Sequence, residues 1–138
     1  MLSNLRAQFA AKRGQAGENA AEALLLRAGW RILERNWRQG RHELDLVCED
    51  GDELVFVEVR TRAEGGLVSP AESVTPAKRR SLIRAARAYL AAHAAWERNC
   101  RFDVICVTAG RTIHTEHIRH AFELDQPLDR GYPHRQYR

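Results

Sequence analysis

His42-Glu43-Leu44-Asp45-Leu46-Val47-Cys48-Glu49, then Asp50-Gly51-Asp52, then Glu53-Leu54-Val55-Phe56-Val57-Glu58-Val59-Arg60-Thr61 is the stretch that decides the fold. Asp-Gly-Asp between two runs rich in Val and Leu is a hairpin signal. Side chains alternate along a strand, so Glu43, Asp45 and Val47 are expected on one face, with Leu44, Leu46 and Cys48 on the other. In the second run Leu54, Phe56, Glu58 and Arg60 share a face, opposite Val55, Val57 and Val59. Pairing across the turn brings Asp45 and Glu58 together near the far end of the hairpin. Carboxylates inside apolar strands are costly unless a cation meets them. Two side by side repel unless a cation bridges them or one takes a proton. Oxygen donors of this kind suit Mg²⁺, which keeps several waters of its own. Salt bridges to Arg41, Arg60 or Arg62 are the competing reading.

The second run is the most apolar of the chain and is expected at the centre of a sheet. Before the hairpin, Ala21, Leu24, Leu25 and Ala28 make a stripe of helical period, predicting a helix from about Arg13 to Ala28 that stops at Gly29. Residues before Gly14 read as a frayed helical turn. Glu18 lies on the same side of that helix as the stripe, which makes it a third acid able to reach the hairpin site. Glu22, its i+4 neighbour, is an alternative. Trp30 to Trp37 reads as a strand.

After the hairpin comes a polar loop with Gly65, Gly66, Ser69 and Pro70. Thr75 and Pro76 then read as the N-cap and first residue of a second helix, whose apolar side is Leu82, Ile83, Ala86, Tyr89 and Leu90. Arg101 to Thr108 is a buried strand, and Arg111 to Thr115 a short edge strand. The expected architecture is an α/β domain, a mixed sheet with helices on its faces. It occupies residues 1–122 as a single domain, and a polar tail follows over 123–138.

The chain has 138 residues and a net charge of +4, with a pI of about 9.3. Mild basicity is compatible with a nucleic-acid partner. No signal peptide or membrane-length apolar run is apparent, so the expectation is a soluble, cytoplasmic protein without a membrane partner. The cysteines Cys48, Cys100 and Cys106 lack CxxC spacing, which argues against a zinc ribbon or disulfide framework. His114, His117 and His120 recur every third residue without a supporting ligand set and read as a surface segment. No Gly-rich phosphate loop and no Ser/His/Asp arrangement stands out. Arg80, Arg84 and Arg87 fall at i, i+4 and i+7 on the second helix, with Lys78 at its start. This line either tracks a phosphate backbone or is a solvated cationic face. Trp30 and Trp37 either stack on bases or belong to the core, and core is favoured for at least one.

Several blocks together resemble the YraN family: Gly17-Glu18-Asn19-x-Ala21, Arg35-Asn36-Trp37-Arg38, Glu43-Leu44-Asp45-Leu46, Val55 to Arg62, Lys78, and Arg101-Phe102-Asp103-Val104. The resemblance runs from about Arg13 to Phe122. That family is similar to the restriction-endonuclease-like superfamily, most closely to archaeal Holliday-junction resolvases. The resemblance implies a mixed central β-sheet flanked by α-helices, and an endonuclease acting on DNA, with branched or single-stranded DNA as the substrate. It implies a site of helix Glu, strand Asp and Glu-x-Lys, which falls on Glu18, Asp45, Glu58 and Arg60. Mg²⁺ or Mn²⁺ would be held by Asp45, Glu58 and the carbonyl of Val59; Lys78, which matches the family, would meet nucleic acid together with the Arg80, Arg84 and Arg87 line read from helical spacing. By analogy with junction resolvases it also suggests a homodimer. Two positions depart from the family's pattern. His42 stands where Gly is usual, and Arg60 stands at the motif Lys. Arg stays protonated and cannot serve as a base, though it can stabilise developing charge. The alternative is a non-catalytic nucleic-acid-binding or partner-recruiting protein that retains the fold.

Overall fold

The computed structural model describes residues 2–65 and 74–124. Gly66, Ser69 and Pro70 of the expected loop, and residues 125–138 of the expected tail, lie outside them. The chain starts with α1 (Leu2–Arg27), one continuous helix rather than a frayed turn followed by a helix. The segment before Gly14 is rich in Ala, Arg, Gln and Lys, all strong helix formers. Their propensity outweighs the ~1 kcal/mol that a mid-helix glycine costs. Gly29 ends the helix in the left-handed region, at φ +86°. Its N–H donates to the Leu26 carbonyl at 3.0 Å and Trp30 N–H to that of Leu25 at 3.1 Å, the paired bonds of a Schellman cap.

Three strands follow, β1 (Arg31–Gln39), β2 (His42–Asp50) and β3 (Glu53–Ala63). Two-residue turns at Gly40-Arg41 and Gly51-Asp52 join them, and both glycines take positive φ. The helix α2 (Pro76–Ala92) crosses to β4 (Cys100–Ala109), which turns into β5 (Ile113–Phe122). The sheet order is β1-β2-β3-β4-β5, with β3 and β4 parallel and the other pairs antiparallel. As expected, β3 is central. The parallel step requires a crossover, which α2 supplies. β5 runs well past the short edge strand expected at Arg111 to Thr115. Its side chains are largely exposed, so the added length carries little hydrophobic signal.

Each face of the sheet buries its own core. On the α1 side Ala21 and Leu25 pack on Leu46, Cys48, Val55, Val57, Ile105 and Val107. On the α2 side Leu82, Ile83, Ala86, Tyr89 and Leu90 pack on Leu44, Val47, Phe56, Phe102 and Val104. Leu44 and Leu46 therefore face opposite sides, although two residues apart, which corrects the strict alternation expected of β2. Arg35 pairs with Leu46 and Trp37 with Leu44. Between these pairs lie Asn36, at φ +50°, and Asp45. Asn tolerates the left-handed region better than most residues. The reversal turns Trp37 onto Tyr89, ring centroids 5.3 Å apart, while Arg35 reaches Glu22 on α1. No helix among the described residues is long and apolar enough to cross a membrane.

Candidate functional site

The β2–β3 ladder runs from Asp50↔Glu53 to Leu46↔Val57. Just beyond it the Asp45 side chain takes over, and its Oδ2 accepts the Val59 N–H at 2.9 Å. Asp45 is thereby fixed at the end of the hairpin beside Glu58. The Glu58 side chain is 6% exposed and within hydrogen-bonding reach of the Asp45 carboxyl. Burial, then the Asp45 charge, push the Glu58 carboxyl up to about 8, against the opposing pull of Lys78 and Arg60. A second carboxylate this close disfavours the charged form of Glu58.

The third acid comes from α1. Gly17 is buried against β3, where a Cβ would collide with the Thr61 side chain. Only glycine lets the helix come this close, and the approach carries Glu18 to the same end of the sheet. Burial, then the charges of Asp45 and Glu22, raise the Glu18 carboxyl. Glu22 itself is held by Arg35 at 2.7 Å. Asp45 thus lies within electrostatic reach of Glu18 on α1 and, separately, of Glu58 on β3.

Two cations flank it. Arg60 Nη1 lies 3.6 Å and Lys78 Nζ 3.5 Å from Glu58 Oε2. Lys78 gets there because Thr75 caps α2 as expected, its hydroxyl accepting the Lys78 N–H at 3.2 Å. The salt-bridge alternative is therefore present in part, through Arg60 and Lys78. Arg62 turns to Thr108 Oγ1 at 3.3 Å. On the outer side of α2, Arg84 is exposed and Arg80 half-buried. Arg87 donates to the Leu124 carbonyl at 3.4 Å, so it ties down the end of β5 and is not a free member of the basic line.

Among the described residues no three His, Cys, Asp or Glu side chains are placed to hold one metal ion together. Asp45 and Glu58 still fit a hard divalent cation by their chemistry. Both offer carboxylate oxygens, and a bound cation would offset the repulsion between them. Mg²⁺ commonly binds through one or two carboxylates and keeps its waters. Lys78 and Arg60 would have to give up part of their hold on Glu58.

The histidine run does not gather. His114 bonds to Thr112 Oγ1 at 3.0 Å, His120 lies 4.0 Å from Glu123, and His117 Nε2 meets Asp103 Oδ2 at 2.8 Å. That last contact belongs to a buried network the sequence did not disclose. Arg101 binds Asp103, Glu53 and Asp50 at 2.8–3.0 Å. Trp30 lies beneath Arg101 and Arg119, whose guanidinium carbons are 5.1 and 5.4 Å from its ring. Trp30 is therefore core and closed to bases, and Trp37 is half-buried. The one hint in the sequence was Arg101 and Asp103 two apart in an apolar strand.

Five mixed strands between two helices, with acids gathered at one end of the central hairpin, define an α/β domain consistent with a restriction-endonuclease-like fold. The chain belongs to the Uncharacterised protein family UPF0102, whose model matches residues 17–107. A UPF0102 protein of Nitratidesulfovibrio vulgaris (strain Hildenborough) is 58% identical over 119 residues, covering 86% of this chain and 89% of that one. One from Lawsonia intracellularis is 47% identical over 117 residues (84% and 89%). One from Moorella thermoacetica is 49% identical over 100 residues (72% and 83%). The matched span contains Glu18, Asp45, Glu58, Arg60 and the basic residues of α2, and stops before β5.

Proposed function

We propose that this chain is a metal-dependent endonuclease that hydrolyses phosphodiester bonds in DNA, with branched or single-stranded DNA as the substrate class. The observation that carries the reading is the pairing of Asp45 with the buried Glu58, flanked by Lys78 and Arg60, with Glu18 close enough to feel the Asp45 charge. The resemblance to the YraN family and, through it, to junction resolvases supports the same reading. Asp45 and Glu58, with the Val59 carbonyl, would hold Mg²⁺ or Mn²⁺. When bound, such an ion polarises the phosphate and lowers the pKa of the attacking water. Glu18 orients that water from the α1 side. Arg60 holds a fixed positive charge where negative charge develops on the phosphate. Lys78 brings to Glu58 the ammonium that position 60 lacks. Arg80 and Arg84 lie along the backbone of the bound strand. A homodimer would present paired sites to a symmetric junction, and a DNA substrate goes with a cytoplasmic location.

One residue favours a second reading. Arg60 cannot accept a proton, which suits a non-catalytic nucleic-acid-binding or partner-recruiting protein built on the same fold. The two are separated by giving the purified protein Mg²⁺ or Mn²⁺ with four-way junction, flap, single-stranded and duplex DNA. Cleavage is expected for branched or single-stranded substrates, lost in Asp45→Asn and Glu58→Ala, and faster in Arg60→Lys. Cleavage that survives both acidic substitutions sinks the proposed site. Salt-sensitive binding without cleavage selects the second reading.

A further inference from the structure

An open pocket of about 300 Å³ lies beside the acidic centre, lined by Arg62, Cys106, Thr108, His114, Thr115 and Glu116. Strand register shows how the two are connected. Glu58, Arg60 and Arg62 alternate onto one face of β3, and Lys78 on α2 marks that face for Glu58. Arg60 pairs with Cys106 and Arg62 with Thr108 across the parallel β3–β4 ladder. Cys106 pairs in turn with Glu116, and Thr108 with His114, across β4–β5. Directly paired residues share a face, so the pocket is the next two rows of the same surface that carries Glu58. At a strand rise of about 3.3 Å per residue, Arg62 lies ~13 Å along the strand from Glu58, with Arg60 halfway.

The lining is chemically divided. Arg62 is steadied by Thr108 Oγ1 at 3.3 Å and offers a planar donor fork for a phosphate. His114, held by Thr112 Oγ1 at 3.0 Å, sets an imidazole at the rim. Glu116, exposed on the edge strand, offers carboxylate oxygens, which accept from the exocyclic amine of a base. The Thr108 hydroxyl can donate or accept, while Thr115, paired with Val107 of the α1-side core, borders the pocket from the opposite face of β5. A cation for a phosphate, an acid for an amine and room for one small molecule together describe a nucleotide. A base whose amine meets Glu116 has left its partner, as bases read in enzyme pockets do.

We propose that this pocket is a subsite for one unpaired nucleotide, its phosphate on Arg62 and a base bearing an exocyclic amine on Glu116. Placing that nucleotide next to the scissile phosphate rests on the nuclease reading, while binding in the pocket does not. The subsite would select single-stranded or junction DNA over continuous duplex, because only there is a nucleotide free to enter.

The test has two arms, both on the full chain. In the first, deoxycytidine monophosphate is titrated while the His114 imidazole resonances are followed by NMR. Binding is expected at millimolar concentration, weakened at least fivefold by Glu116→Gln and weaker for thymidine monophosphate. No shift, or equal binding of inorganic phosphate, overturns the proposal. In the second, single-stranded and flap DNA carrying 2-aminopurine beside the cleavage position is bound with chelator present. A fluorescence rise is expected, reduced in Glu116→Gln and in His114→Ala. DNA that is bound with unchanged fluorescence and is then cut once Mg²⁺ is added in excess overturns the subsite and leaves the nuclease reading standing. Nucleotide binding sensitive to Glu116→Gln, without any metal-dependent cleavage, supports the subsite and overturns the nuclease reading. Glu116 is exposed on an edge strand, so its substitution does not threaten the fold.

Discussion

Glu58 is a carboxyl that folding places at a disadvantage. Burial and the neighbouring Asp45 raise it from its ordinary 4.5 to about 8. Between those values the unfolded chain releases a proton that the native chain retains. Native stability is then fully present below about 4.5 and falls as pH rises toward about 8. One pKa unit is about 1.4 kcal/mol, so the loss is on the order of a few kcal/mol. Glu58→Gln keeps the shape and removes the titration. With chelator present we expect the variant to match the native protein near pH 4.5 and to exceed it by ~1–3 kcal/mol near neutrality, measured by denaturant unfolding across pH. Parallel pH profiles would refute the assignment. Mg²⁺ or Mn²⁺ should stabilise the native protein and not Glu58→Gln. At this scale the sequence was readable. Asp45 and Glu58 announced themselves as acids in apolar strands, and Glu18 as an acid on a helical stripe. The face reversal between Leu44 and Leu46 was not readable, because it depends on the backbone that Asn36 adopts opposite, φ +50°.

Among the elements, α2 does two things with its basic residues. Its apolar side and its Thr75-Pro76 start were plain in the sequence, and Lys78 is aimed at Glu58 by that cap. Arg80, Arg84 and Arg87 looked alike in the pattern and differ in the structure. Arg87 is engaged with the Leu124 carbonyl, a contact to the end of β5 that no local pattern could reveal. Arg80 and Arg84 have no ion pair among the described residues. Replacing both with Ala should weaken DNA binding uniformly across sequences. It should also lower the slope of log affinity against log salt by about 1.4–1.8, the share of two phosphate contacts. Fluorescence anisotropy at several salt concentrations measures this, and an unchanged slope would mean that the helix face is only solvated. Arg87→Ala should instead lower stability with little change in slope. β5 was read short for a related reason. An edge strand exposed over most of its length has no hydrophobic alternation to declare it, and only its pairing with β4 shows its extent.

Across the whole molecule, the two faces of the sheet have different tasks. Glu58 faces α2 and the proposed chemistry, while Asp103 belongs to the network that binds the strands together. Arg101 on β4 reaches Asp50 on β2 and Glu53 on β3, and Asp103 receives His117 Nε2 and the His120 N–H from β5. His120, at φ +50°, is where β5 departs from regular register to deliver that N–H. Four strands are thus joined through one buried pair of residues, assembled from segments far apart in sequence. That separation is why Arg101 and Asp103 gave only a faint local hint. Burial alone would raise the Asp103 carboxyl, but its bonds to His117, Arg101 and the His120 backbone outweigh burial and hold it below its ordinary 3.8. For a depressed carboxyl the sign is the reverse of Glu58: its contribution is complete above the unfolded value and is lost as pH falls. Asp103→Asn leaves Arg101 without its carboxylate partner on the same strand and His117 without a carboxylate. Removing one member of a buried ion pair costs about 3–5 kcal/mol, and denaturant unfolding at pH 7 should show a loss near the lower end, because Asp50 and Glu53 remain on Arg101. The variant should also lose the part of its acid sensitivity that begins below pH ~4. DNA affinity per folded molecule should hold, because Asp103 pairs with Val57 on the α1 side of the sheet, away from the face of Glu58. Affinity that fell while stability held would mean that the network reaches the site, and the division of labour between the two faces would be wrong.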